Sequence, residues 1–271
     1  MLGAIIGDIA GSAYEFNRTN DYNFEMFGNG CGFTDDTICT VAVADAILRH
    51  KDYGESLHEW CRRYPNPKGG YGGRFHQWVM SDNPKPYNSL GNGSAMRVSP
   101  VAWAARTLEE CEQLAKYSAE VTHDHPDGIA GAQATAGACW LGLHGASKEE
   151  IKAYVERFYK LDFTLDEIRP DYHFGHFQAL NAGTVPYAVQ AFLESSSFED
   201  CIRNTMSIGG DSDTLGAIAG AIAESFYGVP DAIWAEAEKR LDEDARELVT
   251  AFYAQEKSSK AACVSGKNPL K

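Results

Sequence analysis

Two short segments of the chain combine neighbouring carboxylates with hydroxyl side chains. The first reads FTDDT over residues 33–37, and the second reads GDSDT over residues 210–214. Each follows glycines and precedes a run of small and apolar residues, which is typical of a helix start. Helix capping is one interpretation, because Asp, Ser and Thr are preferred caps and gain from the helix dipole. A helix uses one cap, however, and each segment supplies two acids.

If the two helix starts converge, their four carboxylates need a cation. Two carboxylates 4 Å apart repel by about 4 kcal/mol at an effective dielectric constant near 20. Divalent ions such as Mg²⁺ prefer the carboxylate, hydroxyl and water oxygens that both segments offer. Four carboxylates with several Thr hydroxyls would suffice for a pair of ions. The sequence therefore favours a metal site over capping.

A glycine-rich loop offers a second kind of site. The segment NSLGNGSAMR (88–97) contains glycines whose N–H groups can approach a phosphate, with Ser94 placed to begin a helix. An ordinary turn is the alternative interpretation. His123 and His125 stand two apart, but no Cys or third His lies at zinc-ligand spacing. Hydrogen bonding near a helix start is their simpler interpretation.

The GDS sequence at 210–212 does not indicate a serine hydrolase. The nucleophile elbow requires G-x-S-x-G, and Thr214 stands where its last glycine should be. No strand is predicted before it. Ser212 is therefore not a candidate nucleophile.

Composition excludes several classes of protein. The 271 residues include 24 basic and 38 acidic side chains, a net charge of −14 without a basic stripe. Non-specific nucleic-acid binding and anionic membranes are disfavoured by this charge. Seven scattered cysteines without a C-x-x-C pair do not form a disulfide framework. The first residues make a poor signal peptide, and no apolar run reaches membrane-spanning length. We expect a cytoplasmic protein, and a monomer.

Helical periodicity dominates the chain, and runs of alternating β-branched residues are nearly absent. Helices are predicted at 35–50, 55–64, 72–80, 94–106, 108–121, 127–144, 147–159, 182–195, 198–207, 213–227, 231–240 and 242–256. Small residues within 127–144 and 214–223 predict close helix packing. Loops at 64–75 and 81–97, rich in Pro, Gly, Asn and Ser, are long enough to be functional. The sequence predicts a single all-α domain over 1–256 and a flexible tail over 257–271.

Taken together, the motifs resemble the ADP-ribosylglycohydrolases. The resemblance covers about residues 3–228 and is specific because of its order and spacing. Its motifs are GAIIGDIAGSAYE (3–15), FTDDT (33–37), NSLGNGSAMRVSP (88–100), TH (122–123) and SIGGDSDTLGAIAGAIAESFYG (207–228). It implies an all-α orthogonal helical bundle with two Mg²⁺ ions, or Mn²⁺, at the base of a cleft. The implied metal ligands are Thr34, Asp35, Asp36, Asp211, Asp213 and Thr214.

The resemblance also implies an activity and further site residues. The activity is hydrolysis of the glycosidic bond between ADP-ribose and an acceptor, through an oxocarbenium-like state. Glu15 is the implied proton donor or gate, and Asp35 or Asp211 the base for the attacking water. The implied substrate-binding residues are Ser89, Gly91, Asn92 and Gly93 at the diphosphate, with His123 near the ribose and phosphate.

The segments at GSAYE and FTDDT resemble the serine-linkage branch, but that branch carries an aromatic where this chain has Leu90. We therefore expect either that Tyr87, Tyr14 or another aromatic packs on adenine, or that the nucleotide part of the substrate differs. Loops at 64–87 and 160–180, with HFGHF at 173–177, are expected to shape the leaving-group side. The acceptor stays open between arginine, serine, a nucleic-acid base and a small molecule. A non-catalytic ADP-ribose binder or structural relative, and a two-metal phosphohydrolase, are the alternative functions.

Overall fold

The structure is a computed structural model that describes residues 1–175 and 179–264, with the backbone alone at 171–175 and 259–264. These residues form helices joined by loops, and no β-sheet occurs among them. Two isolated bridges pair Thr34 with Lys68 and Gly91 with Leu180. The all-α prediction is confirmed.

The helices follow one another as α1 Leu2–Gly11, α2 Asp35–Arg49, α3 Tyr53–Arg63, α4 Gly73–Met80, α5 Gly93–Met96, α6 Pro100–Ala104, α7 Leu108–Glu120, α8 Pro126–Leu143, α9 Lys148–Val155, α10 Leu165–Gly175, α11 Asn181–Leu193, α12 Phe198–Ser207, α13 Ser212–Tyr227, α14 Asp231–Glu238 and α15 Glu243–Val264.

Most predicted helices are confirmed, and their ends shift by only a few residues. The helix predicted over 94–106 is wrong, because the segment divides into α5 and α6. Pro100 cannot donate a backbone hydrogen bond, so it takes the first position of a new helix instead. Helix α15 continues to Val264, beyond its predicted end at 256. Residues 265–271 of the predicted tail lie outside the described residues.

Two helices were not predicted. Helix α10 occupies much of the segment that was interpreted as a loop over 160–180. Helix α1 lies within the first family motif, where Gly3, Gly7 and Gly11 lower the intrinsic helix propensity. Packing compensates for that low propensity, since α1 is buried over nearly its whole length.

Helices α1 and α13 pack with their backbones in direct contact. Glycines at intervals of four lie on one face of α1. A methyl group added to Gly7 would lie 1.9 Å from the carbonyl oxygen of Gly216. The close contacts run antiparallel along the pair, with Gly3 against Gly220, Gly7 against Gly216 and Gly11 against Ser212. The end of α1 therefore meets the start of α13.

Close packing extends to α8, as the small residues of 127–144 and 214–223 predict. A methyl group on Gly131 would lie 2.2 Å from the Asn181 side chain, and one on Gly137 would lie 2.0 Å from the Tyr154 hydroxyl. Helix α13 contacts α1, α8, α11 and α12 and is buried from Ser212 to Ser225. It is the central helix around which the others pack.

In the part of the chain that the structure describes, no helix has both the length and the apolar character needed to cross a membrane. The six cysteines whose side chains are described are all free thiols.

Replacing Gly7 with alanine should destabilise the fold strongly. The new methyl group would overlap the Gly216 backbone, which cannot move aside as a flexible side chain could. Overpacking of this kind costs about 3 kcal/mol or more. Chemical denaturation of Gly7→Ala against the wild type would measure the loss.

The matched control is Gly73→Ala, since nothing lies within 4 Å of the methyl group that it adds. A Gly7→Ala variant as stable as this control would show that the α1–α13 contact is not tight in solution.

Candidate active site

A cavity of about 490 Å³ opens between several segments of the chain. They include the connection after α1, the start of α2, the glycine-rich loop that leads into α4, the loop before α5 and the start of α13. The carboxylates in the cavity wall are Glu15, Asp35, Asp36, Asp211 and Asp213. The phenyl ring of Phe16 stands at the rim with 76% of its surface exposed.

The two acidic segments meet, as the sequence predicts. Ligand atoms of Asp8, Asp36 and Asp213 all lie within 4.8 Å of one another, and those of Glu15, Asp211 and Asp213 form a second such group. Asp213 belongs to both groups. The Thr214 hydroxyl donates to Asp36 Oδ2 across 3.3 Å and links the two helix starts directly. The predicted convergence of these acids is confirmed.

Asp8 is a buried member of the site that the sequence analysis missed. It lies on α1 and accepts hydrogen bonds from the backbone N–H and hydroxyl of Thr34 and from the same two groups of Thr37. These contacts fix the start of α2 against α1. One acid inside the apolar run of residues 2–11 was the available signal, because a buried carboxylate needs partners.

Capping explains only part of the acidic pattern. Thr34 caps α2, since its hydroxyl oxygen accepts from the Asp36 N–H. Asp211 stands at the cap position of α13 but makes no side-chain capping bond there. Its Oδ2 instead accepts from Asn92 Nδ2 at 2.7 Å. Asp211 is therefore aimed at the cavity rather than at its own helix.

The turn before Asp211 depends on two glycines. Gly209 and Gly210 both have positive φ angles, 68° and 79°, which side chains other than glycine rarely adopt. They reverse the chain between α12 and α13. This turn places Asp211 and Asp213 at the cavity.

Ser212 has a structural role, as expected for a residue that is not a nucleophile. Its hydroxyl donates to the Gly11 carbonyl oxygen at 2.9 Å. The bond joins the last residue of α1 to the first residue of α13.

Burial and mutual repulsion raise the pKa values of the acids. Burial first, and then the charge of Asp213, raise the pKa of Asp8 to about 7 and that of Glu15 to about 8. The same two causes hold the pKa values of Asp36 and Asp211 well above their usual range. Without a cation, this cluster binds protons.

The donor set fits a hard divalent cation. Asp36 Oδ1 is buried and has no hydrogen-bond partner among the described residues. No lysine or arginine of the described chain forms an ion pair with the clustered acids. An unpaired buried carboxylate oxygen surrounded by other carboxylates is costly unless a positive charge compensates for it.

Two of the six predicted ligands differ in placement from the rest. Asp35 lines the cavity and is half-buried, but it belongs to neither group of clustered acids. Thr34 is fully buried outside the cavity wall and donates its hydroxyl hydrogen to Asp8. The role of Thr34 as a metal ligand stays a prediction.

Glu15 lies beneath the glycine-rich loop. A methyl group added to Gly69 would lie 2.7 Å from Glu15 Oε2, and Gly69 also has a positive φ of 77°. Glycine is therefore required where the loop passes over this carboxyl group. The loop and Glu15 together close one side of the cavity.

The predicted substrate loop, which contains Ser89, Gly91, Asn92 and Gly93, lines the cavity. Its shape is maintained by its own amides, because Gly91 N–H donates to Ser89 Oγ and Asn92 N–H donates to the Ala179 carbonyl oxygen. These two amides are thus engaged within the protein. Asn92 also links the loop to the acids through Asp211.

The other predicted binding residues divide into two groups. His123 and Tyr87 line the cavity, with ring centres 6.1 Å apart. Tyr14 is not in the cavity wall and packs on Phe24 instead. The HFGHF segment expected near the leaving group lies outside the residues whose side chains are described.

The sequence model of one family, described as ADP-ribosylglycohydrolase, matches residues 1–260. The chain belongs to the ADP-ribosylglycohydrolase family. Its predicted resemblance is confirmed.

Relatives in this family include enzymes named for different acceptors. The chain is 28% identical to an ADP-ribosyl-[dinitrogen reductase] glycohydrolase of Rhodospirillum rubrum, with 94% of each protein covered. It is 26% identical to the human ADP-ribosylhydrolase ARH3, with 84% of each covered. It is also 26% identical to the ADP-ribosylarginine hydrolase Tri1 of Pseudomonas putida, covering 84% of this chain and 70% of that protein.

A solved structure supports the fold assignment. It is titled ADP-ribosylglycohydrolase-related protein complex and superposes with a TM-score of 0.71 at 25% sequence identity. The match covers 94% of this chain and 97% of the other. The family fold is therefore preserved over nearly the whole chain.

Without divalent ions, Asp213→Asn should stabilise the protein, and more so as the pH rises. The folded-state pKa values of Asp8 and Glu15 are raised, so the stability that these groups contribute is complete below their usual values of 3.8 and 4.5. It is lost as the pH rises through about 7 and about 8. Removing the Asp213 charge reduces that loss.

Thermal melts in EDTA at pH 5 and pH 8 would measure the effect. We expect Asp213→Asn to melt about 3 °C or more above the wild type at pH 8, with a smaller difference at pH 5. The control is Asp82→Asn, whose side chain is 99% exposed. Equal effects of the two substitutions at pH 8 would contradict mutual repulsion within the cluster.

Proposed function

We propose that this protein is a hydrolase that cleaves the glycosidic bond between ADP-ribose and an acceptor, and so reverses ADP-ribosylation. The observation that carries the proposal is the convergence of acids from both ends of the chain at one cavity, beside the glycine loop. The names of two relatives describe removal of ADP-ribose from dinitrogen reductase and from arginine. A cavity of about 490 Å³ is of the size that small-molecule sites have.

We propose further that the clustered acids hold two divalent cations, Mg²⁺ or Mn²⁺. The candidate ligands are those predicted from the sequence, and all of them except Thr34 lie in the cavity wall. Such ions would orient the ribose hydroxyls and lower the pKa of a bound water. The unpartnered Asp36 Oδ1 and the raised pKa values in the cluster support this assignment.

Glu15 is suited to donate the proton that the leaving group needs. With the cluster free of cations, burial and then the charge of Asp213 raise the pKa of Glu15 to about 8, which favours the protonated form that a proton donor needs. Its proton goes to the acceptor atom as the bond from that atom to the anomeric carbon breaks. A water oxygen forms the new bond to the anomeric carbon and gives up a proton to Asp211 or Asp35. Atoms and charge then balance, with free ADP-ribose and a protonated acceptor released.

The negative charges also assist the bond-breaking step. Positive charge develops on the sugar ring in the oxocarbenium-like transition state. Carboxylates around the ring stabilise this charge, because opposite charges attract more strongly in a partly buried site than in bulk water. Asn92 fixes Asp211 in place for this role through its 2.7 Å hydrogen bond.

The acceptor can be identified with a panel of substrates. Peptides carrying ADP-ribose on Arg or Ser, and ADP-ribosylated nucleic acid, would be incubated with the protein in Mg²⁺ and in EDTA. We expect release of ADP-ribose from at least one substrate in Mg²⁺ only. Release of AMP would identify a two-metal phosphohydrolase instead. Calorimetric binding of ADP-ribose without any turnover would identify a non-catalytic binder. Equal turnover in Mg²⁺ and in EDTA would show that the activity does not require a divalent cation.

Asp211→Asn should remove most of the activity while the protein stays folded. The expected loss in kcat is about 10² or more, since the variant lacks a carboxylate at the reacting sugar. The asparagine can still accept the hydrogen bond from Asn92, so the melting temperature should not fall. Asp82→Asn again serves as the surface control. Near-normal turnover would contradict a role for Asp211 in catalysis. Loss of folding would indicate that Asp211 acts as the cap of α13 instead.

A further inference from the structure

Arg97 is a buried cation without an acidic partner. It follows α5 and is 1% exposed, yet it lies at the cavity wall. No carboxylate of the described chain forms an ion pair with it, and its Nε is buried without a hydrogen-bond partner. Burying a charge in this way is unfavourable, so the contacts that Arg97 does make are informative.

Those contacts lead to His123. Arg97 Nη2 donates to the Ser118 carbonyl oxygen at 3.1 Å and to Thr122 Oγ1 at 2.7 Å. Thr122 Oγ1 in turn lies 2.7 Å from His123 Nδ1. The buried Thr122 hydroxyl thus connects Arg97 to His123, and both of these residues line the cavity.

The direction of the last hydrogen bond follows from counting protons. A hydroxyl has one hydrogen to donate, and Arg97 can only donate, so Thr122 Oγ1 accepts from it. The Thr122 hydrogen then goes either to His123 Nδ1 at 2.7 Å or to the Ala119 carbonyl oxygen at 3.5 Å. The shorter contact is a normal hydrogen bond and the longer one is weak. If Nδ1 instead donated to Thr122 Oγ1, the Thr122 hydrogen would be left with the weak contact alone, so we assign His123 Nδ1 as the acceptor.

An imidazole that accepts at Nδ1 carries its proton on Nε2. Burial first, and then the charges of Arg97 and Arg74, hold the pKa of His123 well below its usual value, so the ring stays neutral. Its Nε2 has no hydrogen-bond partner among the described residues. It faces the substrate loop, since a methyl group on Gly93 would lie 3.3 Å from it.

We propose that Arg97, acting through Thr122, fixes His123 in the neutral tautomer protonated on Nε2, so that His123 donates an uncharged hydrogen bond to an oxygen of bound ADP-ribose. Arg97 and Thr122 are thus positioning residues. The substrate half of this inference, the hydrogen bond from His123 to ADP-ribose, rests on the proposed function. The tautomer half, the position of the proton on His123, does not, because it concerns the protein alone.

Nitrogen-15 NMR of the full chain labelled at histidine would test the tautomer. The signal of His123 among the eight histidines is assigned by its loss in His123→Asn. In the wild type at pH 7 we expect Nε2 protonated and Nδ1 bare. Thr122→Val should remove that preference and give a mixture of tautomers, and Thr122→Ser should restore it. Arg97→Met is a second variant that should also give a mixture of tautomers. If Arg97→Met does not fold, Thr122→Val alone decides the test.

Calorimetry with ADP-ribose would test the substrate half. We expect Thr122→Val to raise Kd by about tenfold, the effect of losing one neutral hydrogen bond, and Thr122→Ser to stay within about twofold of the wild type. The matched control is Thr135→Val, which removes a buried hydroxyl that has no hydrogen-bond partner among the described residues. It should change neither the His123 signals nor Kd.

The outcomes are separable. A wild-type signal with Nδ1 protonated, or His123 signals unchanged in Thr122→Val, would overturn the tautomer assignment. An unchanged Kd in Thr122→Val would overturn the role in binding. A wild type that binds no ADP-ribose would overturn the proposed function, while the NMR result would still decide the tautomer.

Discussion

The backbone contact between α1 and α13 is the constraint on which the rest of the structure depends. Glycines on one face of α1 let the two helices approach until no methyl group fits between them at Gly7. Because the pair is antiparallel, the end of α1 lies beside the start of α13. Glu15 and Asp213, which are distant in the sequence, are brought to one cavity by this contact. The low helix propensity of glycine is the cost of that arrangement, and burial of α1 and α13 offsets it.

Electrostatics follows from this packing. Asp8 accepts hydrogen bonds from both Thr34 and Thr37, and so joins the start of α2 to the α1–α13 pair. Carboxylates from all three helices then lie close together, with Asp8, Asp36 and Asp213 buried. Burial and repulsion raise their pKa values together, so ionising all of these acids is unfavourable when no cation is bound. Perturbed pKa values of this kind are typical of functional sites.

The sequence predicted the chemistry of the site better than the way it is held together. The pairing of FTDDT with GDSDT was visible because two acids exceed what one helix cap uses. Asp8 was missed since a single acid in an apolar run has no spacing pattern, and its partners lie in another helix. Helix α1 was missed because local propensity opposes it and only tertiary packing favours it. The division of 94–106 at Pro100 was available from the sequence, whereas the engaged amides of Gly91 and Asn92 required coordinates.

The bond from the Ser212 hydroxyl to the Gly11 carbonyl oxygen spans 201 positions of the chain. Contacts between residues so far apart pay a large loop-closure entropy and slow the folding of a domain. During synthesis, the FTDDT segment emerges long before the GDSDT segment exists. A partly made chain therefore lacks Asp211 and Asp213, and its cavity stays incomplete until α13 has docked against α1.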